Sequence, residues 1–166
     1  MNATFEISAI VAVLATFMMI TRLSAVHALL YLIVSLLAAA LVFFVLGAPF
    51  AAALEVIIYA GAIMVLFVFV IMMLNIGEAA AAFERTVLKP STWIGPSILA
   101  LLLAIELGAL AATGGLAHPA GSVVGAQAVG VALFGPYMLA VEIASFLLLA
   151  GLVAAFHLGR SVTRGD

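Results

Sequence analysis

The chain has 166 residues, of which 69% are hydrophobic and 7% charged, and its mean hydropathy is +1.48. A water-soluble domain of this length needs about a quarter of its residues charged, so most of this surface must face lipid or apolar protein. Five cationic residues form no phosphate-binding face for nucleic acid, and the absence of cysteine excludes disulfides, thiolate-ligated iron–sulfur clusters and cysteine zinc sites.

The N-terminus reads Met-Asn-Ala-Thr-Phe-Glu. It lacks the basic region of a secretory signal, so the first apolar segment is expected to remain as a helix. Apolar windows of about 20 residues mark membrane spans, near 3–21, 25–46, 51–76, 92–112 and 137–158. The expected fold is an all-α integral membrane protein, a single transmembrane domain over 1–166 with about five helices. The segment Val123–Phe134 is too short to span and is expected at the interface or folded back on the bundle. Arg22 to Ser24 is a polar hinge and Gly47-Ala48-Pro49 a tight turn. Gly77–Ser91 is the most charged segment, and Thr113–Ser122 holds Gly-Gly and His-Pro loop signals.

All five cations fall in alternate connections: Arg22, then Arg85 and Lys89, then Arg160 and Arg164. Lys and Arg beside helix ends stay on the cytoplasmic side. The expected topology has the N-terminus outside and the C-terminus in the cytoplasm, which requires an odd number of spans. No internal repeat is visible, which counts against a self-sufficient transporter.

Three carboxyls lie within predicted spans: Glu55, Glu106 and Glu142. A carboxylate in lipid costs about 2–3 kcal/mol on insertion scales, so one that is retained is a candidate proton-relay group. Glu55 and Glu142 lie six residues after Pro49 and Pro136, and Glu106 lies six residues before Ala112. In the expected topology all three sit about 9 Å below the outer end. The plainer alternative is a hydrogen bond to a neighbouring helix. Function is favoured for Glu55 and Glu142; packing is favoured for Glu106, which is kept as a secondary candidate.

The third span reads ALEVIIYAGAIMVLFVFVIMMLN. Tyr59 follows Glu55 by four residues and shares its helix face, where a phenol can hydrogen-bond the carboxyl and hold water. Ala60-Gly61-Ala62 either admits a close neighbouring helix or lowers the cost of a π-bulge. Phe67, Phe69, Met72 and Met73 read as apolar bulk. His27, His118 and His157 have no ligand spacing and read as interfacial. No nucleotide-binding or nucleophile motif is present.

Taken together, His27–Leu37 (HALLYLIVSLL), the third-span run through Glu55 and Tyr59, Trp93-Ile94-Gly95-Pro96, and LFGPYMLAVEIASFLLLAGLVAAFH resemble the J subunit of bacterial proton-pumping NADH:quinone oxidoreductase, respiratory complex I. The resemblance covers nearly the whole chain, in order, and its third-span run is the most specific part. It implies a five-span, multi-pass subunit of the bacterial inner (cytoplasmic) membrane, near the quinone-reducing module and beside subunits of the A, H, K and N types. It implies a cofactor-free chain that is not catalytic alone, with FMN, iron–sulfur clusters and quinone in partner subunits. It further implies a π-bulge around Tyr59–Val65 whose rearrangement opens or closes a water path to the antiporter-like subunits. Glu55, Tyr59, Gly61, Met64 and Val65 match that region, and Glu142 matches a fifth-span glutamate of the family. No family role falls on Glu106. Three readings compete: an independent transporter or channel, a passive assembly scaffold, and a subunit of a related hydrogenase or cation-antiporter complex.

Overall fold

The computed structural model describes residues 3–74, 90–113 and 123–161. Every regular element among them is helical. In chain order these are α1 (Ala3–Thr21), α2 (Ala25–Val45), α3 (Pro49–Leu54), a π-helical segment (Glu55–Ile63), α4 (Met64–Leu74), α5 (Pro90–Ala112), α6 (Ala126–Leu133) and α7 (Met138–Ser161). Five stretches are long and apolar enough to cross a membrane: Ala3–Thr21, Ala25–Val45, Pro49–Ile71, Trp93–Ala112 and Met138–Gly159. They coincide with the five expected spans to within a few residues. The charged connection 77–89 and the Gly-Gly and His-Pro signals of 114–122 lie outside the described residues, as do Ile76 and Arg164.

The chain divides into two compact units, Met1–Val124 and Gly125–Asp166. In the first, α1 and α2 pack through small residues. Val11, Ala15, Val34, Ala38 and Leu103 form its core, with Ala12, Leu37, Leu41 and Leu99 against it. Small side chains let helices approach closely where lipid offers no hydrophobic drive to associate. A polar contact fixes the α1–α2 register: the Thr16 and Ser35 hydroxyls lie 2.7 Å apart, and both reach the Ala12 carbonyl, Thr16 Oγ1 at 2.8 Å and Ser35 Oγ at 3.2 Å.

The turn before α3 is set by Gly47, whose φ of 84° is the one positive value among the described residues. Only glycine adopts this region without a Cβ penalty. Its carbonyl accepts a 2.8 Å hydrogen bond from the Val124 N–H, and Pro49 then opens α3 where its missing donor costs nothing.

On α5 the least exposed positions recur every three or four residues: Pro96, Leu99, Leu103, Glu106 and Leu110. That spacing is one helical stripe. Near its N-terminal end a Cβ on Gly95 would collide with the Tyr31 phenol oxygen. Tyr31 is buried, and the Arg22 guanidinium stands 5.3 Å from its ring centroid, in cation–π range.

The second unit is a helical hairpin. Eight-residue α6 ends at Phe134, and the Tyr137 and Met138 N–H groups bond the Ala132 and Gly135 carbonyls at 3.1 and 3.2 Å before α7 begins. The weak segment 123–134 is thus a short helix. No residue of the α7 span is buried within the chain.

Candidate coupling site in the third span

The third span changes its hydrogen bonding midway. It starts as α-helix, runs for nine residues as π-helix and returns to α-helix at Met64. A π segment pairs residues five apart and is intrinsically less favourable than α, so it is rare and clusters at functional sites. The family resemblance implied a local bulge around Tyr59–Val65. The π segment observed is longer and begins earlier, at Glu55, so both polar groups of the span lie inside it.

Gly61 is the residue on which this geometry turns. A Cβ there would stand 3.1 Å from the Val56 carbonyl oxygen, tighter than ordinary packing. Val56 and Gly61 are five apart, the spacing of a π hydrogen bond. Any side chain at 61 therefore presses on the carbonyl that the π pattern uses.

The other candidates divide by exposure. Met64, first residue of α4, is buried at 2%. Glu55 and Gly61 are half-buried, while Tyr59 and Val65 are exposed on this chain, at 51% and 66%. Among the described residues no hydrogen bond joins Glu55 to Tyr59. Spacing placed the pair on one face, but burial within the chain is too slight to hold the phenol on the carboxyl.

Glu106 is the most buried of the three carboxyls, 8% exposed. It faces α1, where Ser8 Oγ donates a 2.8 Å hydrogen bond to its Oε2. An apolar cleft of about 530 Å³ separates part of α5 from the third span, with Leu103, Ala104 and Leu107 on one wall and Ala52, Ala53 and Val56 on the other. The shared walls put the Glu55 and Glu106 stretches at one level, yet Glu106 turns to α1. Glu142 belongs to the second unit and is exposed there, its backbone carbonyl accepting a 2.7 Å hydrogen bond from Ser145 Oγ.

Ser8 and the Tyr31–Gly95 contact had no place in the sequence reading. Ser8 was recoverable: five residues into α1, it lies at nearly the depth of Glu106, six residues before the end of the oppositely running α5. No group of three or more His, Asp or Glu side chains that could hold a metal occurs among the described residues.

The family described as NADH-ubiquinone/plastoquinone oxidoreductase chain 6 matches residues 15–158. A NADH-quinone oxidoreductase subunit J from Pseudomonas aeruginosa is 60% identical over 164 residues, covering 96% of this chain and 97% of the relative. The subunit J of Escherichia coli K12 is 56% identical over 167 residues, covering all of this chain and 90% of the relative. A third subunit J, from Buchnera aphidicola of Acyrthosiphon pisum, is 50% identical over 159 residues, with 96% and 94% covered.

Proposed function

Since the chain belongs to the chain 6, or subunit J, family of NADH-quinone oxidoreductase, as a multi-pass membrane subunit of that complex, we propose that it couples quinone reduction to proton translocation through its deformable third span. Quinone chemistry in neighbouring subunits of the A, H, K and N types shifts residues 55–63 between π and α pairing. The shift changes hydration at Glu55 and Tyr59, and with it proton transfer along the membrane arm. Glu142 takes part as a second carboxyl on the fifth span.

The observation that carries this reading is the nine-residue π segment containing Glu55, Tyr59 and Gly61. A π segment sits above the α form in energy, so modest forces interconvert the two. The span's exposed polar face supports contact with a partner, because a bare carboxyl against lipid is costly. The flavin, the iron–sulfur clusters and the quinone site belong to other subunits, and this chain supplies no redox group. The membrane is the bacterial inner membrane, with the five cations inside.

Gly61→Leu in the assembled complex tests the proposal. A branched side chain at 61 presses on the Val56 carbonyl and penalises the π form. NADH:quinone turnover and proton pumping should both fall severalfold with assembly retained; wild-type values for both would refute the gate. A passive scaffold predicts instead either loss of assembly or full activity.

A further inference from the structure

The cleft of about 530 Å³ in the first unit lies between α2, the third span and α5, and every residue lining it is apolar. Its walls run from Leu37 to Phe44 on α2, from Pro49 to Val56 on the third span and from Ala100 to Leu110 on α5. Phe44 is near the end of α2, Pro49 opens the third span and Leu110 is near the end of α5. One end of the cleft is therefore at a membrane face, while Leu37, Val56 and Ala100 lie well inside their spans. At 1.5 Å per residue these walls are about 10–15 Å long. One leaflet of a hydrocarbon core of about 30 Å is about 15 Å thick. The cleft thus follows one leaflet from its surface towards the midplane.

The occupant must be apolar. Wall atoms facing a void lose their dispersion contacts, and a water molecule needs polar partners that these side chains do not offer. A helix does not fit. With a diameter of about 10–12 Å it would need more than about 1,000 Å³ over the same length, about twice the space present. A hydrocarbon chain needs no hydrogen bonds, is far narrower than a helix and is as long as one leaflet is thick. Ala53 and Ala104, exposed on facing walls, keep the slot open for it. Val56, whose carbonyl stands against Gly61, is also part of the wall, so the chain packs directly on the π segment.

We propose that this cleft binds one acyl chain of a bilayer phospholipid. The chain enters from the membrane face at which α2 ends and the third span begins. Its headgroup stays at that face, beside Phe44, Pro49 and Leu110, and its methyl end reaches the level of Leu37, Val56 and Ala100.

Photolabelling of the whole complex in phosphatidylcholine vesicles tests this without reference to pumping. The probe is a phosphatidylcholine carrying a diazirine on one acyl chain, either near the glycerol or near the methyl end, and the labelled residues are mapped by mass spectrometry. The first probe should label the cleft around Phe44 and Leu110, the second around Leu37 and Ala100. Both should exceed labelling at Val13, which is exposed on α1 outside the cleft. Ala104→Phe and, on the opposite wall, Ala53→Leu fill the slot and should each lower cleft labelling severalfold; Val13→Phe should not. The depth pattern is read on the unaltered complex and does not depend on any variant folding. Three results would each overturn the proposal. No cleft labelling would mean that a partner subunit covers the slot. Labelling no stronger than at Val13, or without depth order, would mean passing bilayer lipid only. Labelling abolished by added long-tailed ubiquinone would make the occupant an isoprenoid tail.

Discussion

Gly61 lies so close to the Val56 carbonyl that a single added methyl would stand 3.1 Å from the oxygen. The residues are five apart, the spacing of a π hydrogen bond, so a side chain at 61 bears on a carbonyl of the π segment. Gly61→Ala is therefore a graded probe. Its methyl displaces Val56 by a few tenths of an ångström, where Gly61→Leu adds bulk beyond it. Proton pumping in inverted vesicles should fall in the order wild type, Ala, Leu. A smooth Gly61→Ala with wild-type pumping beside a defective Gly61→Leu would point to outer bulk rather than to the π segment.

Glu55→Gln removes a titratable group from the π segment while keeping its size. Protons moved per NADH oxidised should drop, with the complex still assembled and the rate reduced by about tenfold or more if the carboxyl carries the transferred proton. An unchanged stoichiometry would reduce Glu55 to a packing residue. The measurement is simultaneous NADH oxidation and proton uptake in sealed vesicles.

Much of this was legible beforehand. Composition alone required spanning helices, and all five emerged close to their expected limits because a bilayer dictates a length of about 20 apolar residues. The π segment was visible as a possibility in Ala60-Gly61-Ala62, but its nine-residue extent was not, since π and α pairing demand nearly the same residues. Which carboxyl a neighbouring helix buries was not legible for a similar reason. Glu106 sits in the plain run LLLAIELGALAA and is the best buried of the three, whereas Glu142, in a distinctive run, is exposed on this chain. Local sequence shows the depth of a residue in the membrane; which face it turns to a neighbour depends on helix rotation, which apolar residues all around a helix do not specify.

Gly95 and Tyr31 form a tight pair that Gly95→Ala should break. The new methyl collides with the phenol oxygen, and overpacking of this kind costs about 1–3 kcal/mol. Less assembled complex is expected in native gels. Adding Tyr31→Phe removes the colliding oxygen and should restore most of it. Failure of that rescue would show that Gly95 matters for backbone reasons rather than for the phenol.

Thr16 and Ser35 should be energetically coupled across α1 and α2. Interhelical hydroxyl bonds in membranes contribute about 0.6 kcal/mol on average in double-mutant cycles. A cycle of Thr16→Val and Ser35→Ala, read by unfolding in detergent, should give a coupling of about that size. Strict additivity would mean that the 2.7 Å contact adds nothing to helix pairing.

Cryo-electron microscopy of the whole complex in resting and turning-over states measures directly whether residues 55–63 change their pairing during turnover. Conversion of a π segment to α removes one residue's offset, so α4 should rotate by about 100° relative to α3, carrying Met64 out of its buried position. Two populations differing in this way are the predicted result. A π segment unchanged from Glu55 to Ile63 in both states, with the complex pumping protons throughout, would contradict the account.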